Sequence, residues 1–277
     1  MSVSLKSAFA KLDGADERLN KLKEEIHRGA VTDLLKFGTE RDAEGRVIVL
    51  VKELAQVPPE WHVWIGECVH DIRSALDHLA FALNIRGSRS EPPPNHRRSQ
   101  FPLYTEADRF ALMAEMSDRE RCMIGYFPEG ARTLVERLQP YHARDQSDLS
   151  ESASWLWVLA ELSNIDKHRH FPITAVFPDL ITHPGAVEGH AVADIKSWHI
   201  PLQVGAPIMR LVVPSLPSST KEPQVDFGYM GGLNFQGEEA EPPLPLVLEQ
   251  EPVDFVLPET LEAVRSKVFP AFAPFLE

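Results

Sequence analysis

One apolar stripe limits what this chain can fold into. Trp61, Ile65, Cys68, Ile72, Leu76, Leu79 and Leu83 recur every three or four residues. That spacing is one face of an α-helix, and so long an apolar face must be buried against other elements. Pro58-Pro59 suits the helix entry, because a proline in the first turn gives up only an N–H that has no intrahelical partner. The pattern therefore predicts a helix over about 60–85. The same reasoning predicts long helices over about 3–28 (Leu5, Phe9, Leu12, Leu19, Leu22, Ile26) and about 151–169, the latter stopping before Pro172. Shorter helices are predicted over 105–117 and 129–139.

β-Structure has a different texture. "VTDLLKFGT" and "RVIVLVKEL", joined by the polar "ERDAEG", predict a hairpin over 31–39 and 46–54. From Phe171 to Val256, short β-rich runs alternate with prolines and glycines: "ITAVF", "HAVADIKSWHIPL", "IMRLVVP", "QVDFGYM" and "LVLEQEPVDFV". A final helix is expected near Pro258-Glu259. The fold class is α+β, with a helical half and an antiparallel β-sheet or sandwich in the C-terminal half. Two regions follow: 1–170, mainly helical with an early hairpin, and 171–277, β-rich with a C-terminal helix. One continuous domain, with the hairpin joining the late sheet, fits equally.

Charge narrows the function. Asp and Glu number 41 against 28 Lys and Arg, a net charge of −13 that opposes broad coating by nucleic acid. A local basic site remains open, and "NHRRSQ" (95–100) in the proline loop is the candidate, against the plainer reading of a solvated loop. Two cysteines exclude a disulfide framework and suit a reducing compartment. No run approaches ~18 apolar residues, and the N-terminus lacks the apolar core of a signal peptide. The expectation is a soluble, cytoplasmic protein without a membrane partner. No Gly-rich phosphate loop, G-x-S-x-G elbow or H-E-x-x-H occurs, so no cofactor is expected.

Two polar clusters stand out. "VHDIRSALDHL" (69–79) places five titratable side chains within His70–His78 of the most apolar helix. His70, Ser74 and Asp77 lie opposite the apolar stripe, and Arg73 reaches Asp77 four residues on. "SNIDKHRH" (163–170) ends the 151–169 helix, pairing Asn164 with His168 and Asp166 with His170. Lys167, His168 and Arg169 also compensate the helix dipole there. If the two helices pack together, Asp77 is expected to meet Arg169 or Lys167, and Arg73 to meet Asp166. The candidate binding residues are His70, Asn164, Asp166, Lys167, His168 and Arg169. The candidate catalytic residues are Arg73, Asp77 and His78.

"IGECVHDIRSALDHLAFAL" followed by "LAELSNIDKHRHFPI" resembles a widespread group of uncharacterised bacterial proteins carrying "LRSALDHL"-like and "DKHR"-like segments. That likeness spans roughly residues 5–175 and implies homology without a function. Arg73-Ser74-Ala75-Leu76-Asp77-His78 also resembles the R-x4-H signature of the HEPN superfamily. This second resemblance implies RNA as partner and a homodimer whose interface forms the site. His78 would be the acid-base group, and Arg73 would stabilise phosphate charge.

Three functions compete. The first is a metal-independent endoribonuclease using Arg73 and His78, whose side chains point roughly 140° apart on a straight helix and so converge only through a partner chain or a kink. The second is a metal-assisted hydrolase or metal-binding protein, with ligands from His70, Asp77, His78, Asp166, His168 and His170. The third is a non-catalytic ligand- or partner-binding protein with a buried His/Asp/Arg network.

Overall fold

The structure is a computed structural model that describes residues 4–25, 34–145, 147–168, 173–176, 186–197, 204–220, 222, 223, 225, 232–235 and 253–277. The chain divides into two compact units built from non-consecutive segments. The first is Met1–Lys21, Glu60–Phe171 and Gly237–Glu277, and the second is Leu22–Pro59 and Pro172–Gln236. The architecture is α+β, as the periodicities predict.

Five helices of the described residues come before the β-rich part: α1 (Lys6–Glu25), α2 (Pro59–Ser88), α3 (Ala107–Ala114), α4 (Glu129–Arg137) and α5 (Ser150–His168). The whole predicted stripe of α2 is buried, from Trp61 through Leu83. Leu12 of α1, Phe101, Leu156 and Leu159 of α5, and Phe269 and Phe272 complete this core. Two ring contacts tie its ends together: Phe9 with Phe269 at 5.3 Å and Phe101 with Phe272, edge-on, at 5.8 Å.

The C-terminal helix starts earlier than expected. α6 (Val253–Ala263) begins five residues before Pro258, continues through a π-helical turn at Val264–Val268, and ends in α7 (Phe269–Phe272). Val253–Val256, expected at the end of a β-rich run, is therefore helical. Val253, Val256, Leu257, Leu261 and Val264 are buried at helical spacing. Burying that stripe offsets the hydrogen bond that Pro258 cannot make. Arg265 to Asp13 (3.0 Å) and Lys267 to Glu151 (2.5 Å) fasten this helix to α1 and α5.

The second unit holds the hairpin. β1 (Leu35–Arg41) and β2 (Val47–Leu54) pair antiparallel through the predicted polar turn. Gly45 supplies the positive φ (78°) of that turn, while the Asp42 carboxylate accepts the backbone N–H of Glu44 and Arg46. β3 (Ile173–Val176) comes next, then the short pair β4 (Ala186–Val187) and β5 (His190–Ala191), then β6 (Asp194–Ser197) and β7 (Pro207–Val212), with β8 (Gly232–Phe235) last. The main sheet runs β1-β2-β7-β6, all antiparallel, with Val49 opposite Met209. The early hairpin thus pairs with late strands. Val47, Val49 and Val51 point to the buried side and Ile48 and Leu50 do not, which is the period-two signature. β3 pairs separately with β8. Most of "QVDFGYM" and all of 246–252 lie outside the described residues.

Candidate functional site

The polar side chains of α2 divide between two flanks of the buried stripe. On the first flank they hold α1. Asp71, only 6% exposed, accepts Lys11 Nζ at 2.7 Å on one carboxylate oxygen and Arg18 Nη1 at 2.9 Å on the other. Arg18 also donates to Glu67, one turn earlier on α2, at 2.7 Å, and to the Gly14 carbonyl at 2.7 Å. His78 Nδ1 meets Ser7 Oγ at 2.8 Å, and Lys21 Nζ sits 4.2 Å from the Trp64 ring centre. Contacts 7 to 78, 11 to 71, 18 to 67 and 21 to 64 run in opposite directions along the two helices. α1 is therefore an antiparallel partner registered by α2's polar residues. The hydrogen bond with Glu67, opposed by burial and aided by the Asp71 charge, holds the Arg18 guanidinium above its ordinary pKa.

On the second flank they hold the chain after the proline loop. Asp77 Oδ1 accepts the Phe101 N–H at 2.9 Å and Arg73 Nη2 at 3.1 Å. The same Arg73 nitrogen donates to the Phe101 carbonyl at 2.5 Å. One ion pair thus captures both polar groups of a single residue, whose ring then meets Phe272. Burial lowers the Arg73 pKa and the Asp77 charge opposes that shift. Farther along α2, buried Asn84 donates to Ser99 Oγ and the Met123 carbonyl, both at 2.8 Å, and accepts the Tyr126 N–H at 3.0 Å. Gln139, also buried, donates to the Pro102 carbonyl and accepts the Tyr104 N–H, each at 3.0 Å. Each of these buried amides satisfies backbone groups that no regular element pairs.

Among the sequence-predicted residues, Arg73 and Asp77 come together. Arg73 and His78 do not: one faces Phe101 and the other faces α1. His70 is exposed. Asn164 and Asp166 are exposed on α5, and Arg73 pairs with Asp77 where a pairing with Asp166 was expected. The side chains of Lys167 and His168, and all of Arg169 and His170, lie outside the described residues. Among the described residues no group of three or more His, Cys, Asp or Glu is placed to hold a metal ion. Among them, too, no helix is long and apolar enough to cross a membrane. Cys68 is buried, which pushes its thiol pKa up and leaves it protonated and inert.

No family model, curated protein or solved structure matches this chain.

Asp71, Glu67, Lys11 and Arg18 were not among the predicted site residues. A signal for Asp71 was present: it lies three residues after Cys68 and beside Ile72, on the margin of the buried stripe. Glu161 on α5 also went unremarked. Burial raises its carboxyl pKa above the ordinary 4.5. A raised folded pKa means that folding favours the protonated form, so stability falls as pH rises from the ordinary value through the folded one. Glu161→Gln is expected to raise Tm at pH 7 and to change it little at about pH 3, where the wild-type carboxyl is already neutral. A variant no more stable than wild type at pH 7 contradicts this.

Proposed function

We propose that this chain is a non-catalytic partner-binding protein, and that the polar residues of its central helix α2 are the frame of its helical unit. The observation that carries this reading is that Arg73 and His78 are both engaged by structural groups of the chain itself. Arg73 is committed to Asp77 and the Phe101 carbonyl, and His78 to Ser7. An acid-base group and a phosphate-stabilising cation must both reach one reacting phosphate. Here each side chain already holds a structural partner, so neither is offered to a phosphate, whether from its own chain or from a second copy.

The test is cleavage of total RNA by purified wild-type protein and by His78→Ala, each with and without EDTA. No cleavage is expected in any arm. His78→Ala is expected to cost about 0.5–1 kcal/mol of stability, the scale of one exposed hydrogen bond. Cleavage that survives EDTA and disappears in His78→Ala would overturn this reading in favour of a HEPN-like ribonuclease acting as a homodimer. Cleavage that EDTA abolishes would favour the metal-assisted hydrolase.

A further inference from the structure

The chain carries 41 acidic residues against 28 Lys and Arg, so a basic side chain readily finds a carboxylate. Seven described arginines follow that rule: Arg18, Arg46, Arg73, Arg109, Arg121, Arg137 and Arg265 each meet an Asp or Glu. Four do not. Arg86 and Arg89 at the end of α2, and Arg97 and Arg98 in the turn after the prolines, make no ion pair among the described residues. Arg89, Arg97 and Arg98 are exposed and Arg86 is half-exposed. The segment 84–100 that carries them contains four arginines, no lysine and one acid, Glu91.

The helix dipole accounts for Arg86 and Arg89, since cations are favourable near a helix C-terminus. It does not account for Arg97 and Arg98, which lie well outside the helix. These two are presented on a pinned turn. Asn95 is 1% exposed and donates to the Cys122 and Met123 carbonyls at 3.0 and 3.2 Å. The Arg98 N–H donates to the Asn95 carbonyl at 2.8 Å, and Ser99 is held by Asn84. A turn fixed in this way loses little freedom on binding. Arginine also offers a planar fork matched to carboxylate and phosphate oxygens, which lysine does not.

Two features separate those anions. Segment 84–100 contains no Phe, Tyr or Trp, whereas single-stranded nucleic-acid sites rely on aromatic stacking. A long phosphate chain would also run beyond the patch, over a molecule of net charge −13, while a short acidic segment needs only the patch itself. Resting on the partner-binding reading above, we infer that Arg86, Arg89, Arg97 and Arg98 form a docking surface for a short carboxylate-rich segment of a protein partner.

The experiment is fluorescence anisotropy with a fluorescein-labelled oligo-glutamate peptide of about ten residues, from about 50 to about 300 mM NaCl. A labelled oligouridylate of equal length forms the second arm. The full-length wild type is compared with the double variants Arg97→Ala/Arg98→Ala and Arg97→Lys/Arg98→Lys, with Tm recorded for each. Binding of the peptide should weaken with salt and fall about tenfold in the double alanine variant, with the lysine variant between the two. Tm should stay at the wild-type value, because both side chains are exposed. Undetectable peptide binding, or binding indifferent to the alanine changes, overturns the docking surface. So does tighter binding of the oligouridylate with the same arginine dependence, which would assign the patch to nucleic acid. Absence of peptide binding without RNA cleavage would leave the non-catalytic reading standing, so the two can fail separately.

Discussion

Asp77→Ala is expected to destabilise the protein by about 2–3 kcal/mol, more than any substitution of an exposed charge. Removing one member of a fully buried pair costs roughly 3–5 kcal/mol, because the other charge is left uncompensated. Arg73 and Asp77 keep 18% and 29% of their side-chain surface, and the solvent that reaches them reduces that cost. A second loss adds to it, since the Phe101 N–H also gives up its acceptor. Asp77→Asn separates the two effects. It keeps an oxygen for the Phe101 N–H and removes only the charge, so it should cost about half as much. The double variant Arg73→Ala/Asp77→Ala should cost less than the sum of its single variants, because no orphan cation remains. Urea unfolding of the wild type, Asp77→Ala, Asp77→Asn, Arg73→Ala and the double variant measures all of this. A cycle in which every variant stays within about 0.5 kcal/mol of wild type would show that the Phe101 clamp does not hold the fold.

Gly87→Ala is expected to cost about 2 kcal/mol or more, although alanine is the better helix former. In an open helix the exchange would gain up to about 1 kcal/mol. At this position a Cβ would lie 1.6 Å from the Tyr126 carbonyl oxygen and 2.8 Å from its carbon. The Tyr126 peptide cannot easily retreat, because its N–H is bonded to Asn84 one turn earlier on the same helix. The overlap must be relieved by displacing α2 from residues 122–127. Differential scanning calorimetry should show Tm lower by roughly 5 °C. An unchanged or higher Tm would mean that the end of α2 is not seated on that turn. The same displacement moves Arg86 and Arg89, so Gly87→Ala should also weaken binding of the acidic peptide.

Several features of this protein were legible in local spacing. The buried stripe of α2 and the alternation of β2 follow from periods of 3.6 and 2, which a few neighbouring residues establish. The turn between β1 and β2 was readable for the same reason: Asp42 and Gly45 belong to one short stretch of chain. The C-terminal helix was misplaced because Pro258 reads locally as a helix start. Whether a proline is tolerated inside a helix depends on how much apolar surface that helix buries, and the surface belongs to other elements.

The polar residues of "VHDIRSALDHL" were legible as unusual and illegible as to purpose. Sequence spacing pairs Arg73 with Asp77, four residues apart, and that pair forms. It does not reveal that Asp77 holds a peptide 24 residues away, or that Asp71 holds side chains 53 and 60 residues away. Helix geometry decided which direction each side chain takes. Only the packing of α1, α2 and the 99–104 segment decided what waits there, because a charge at the edge of a core takes its partner from whichever element the apolar stripe draws against it.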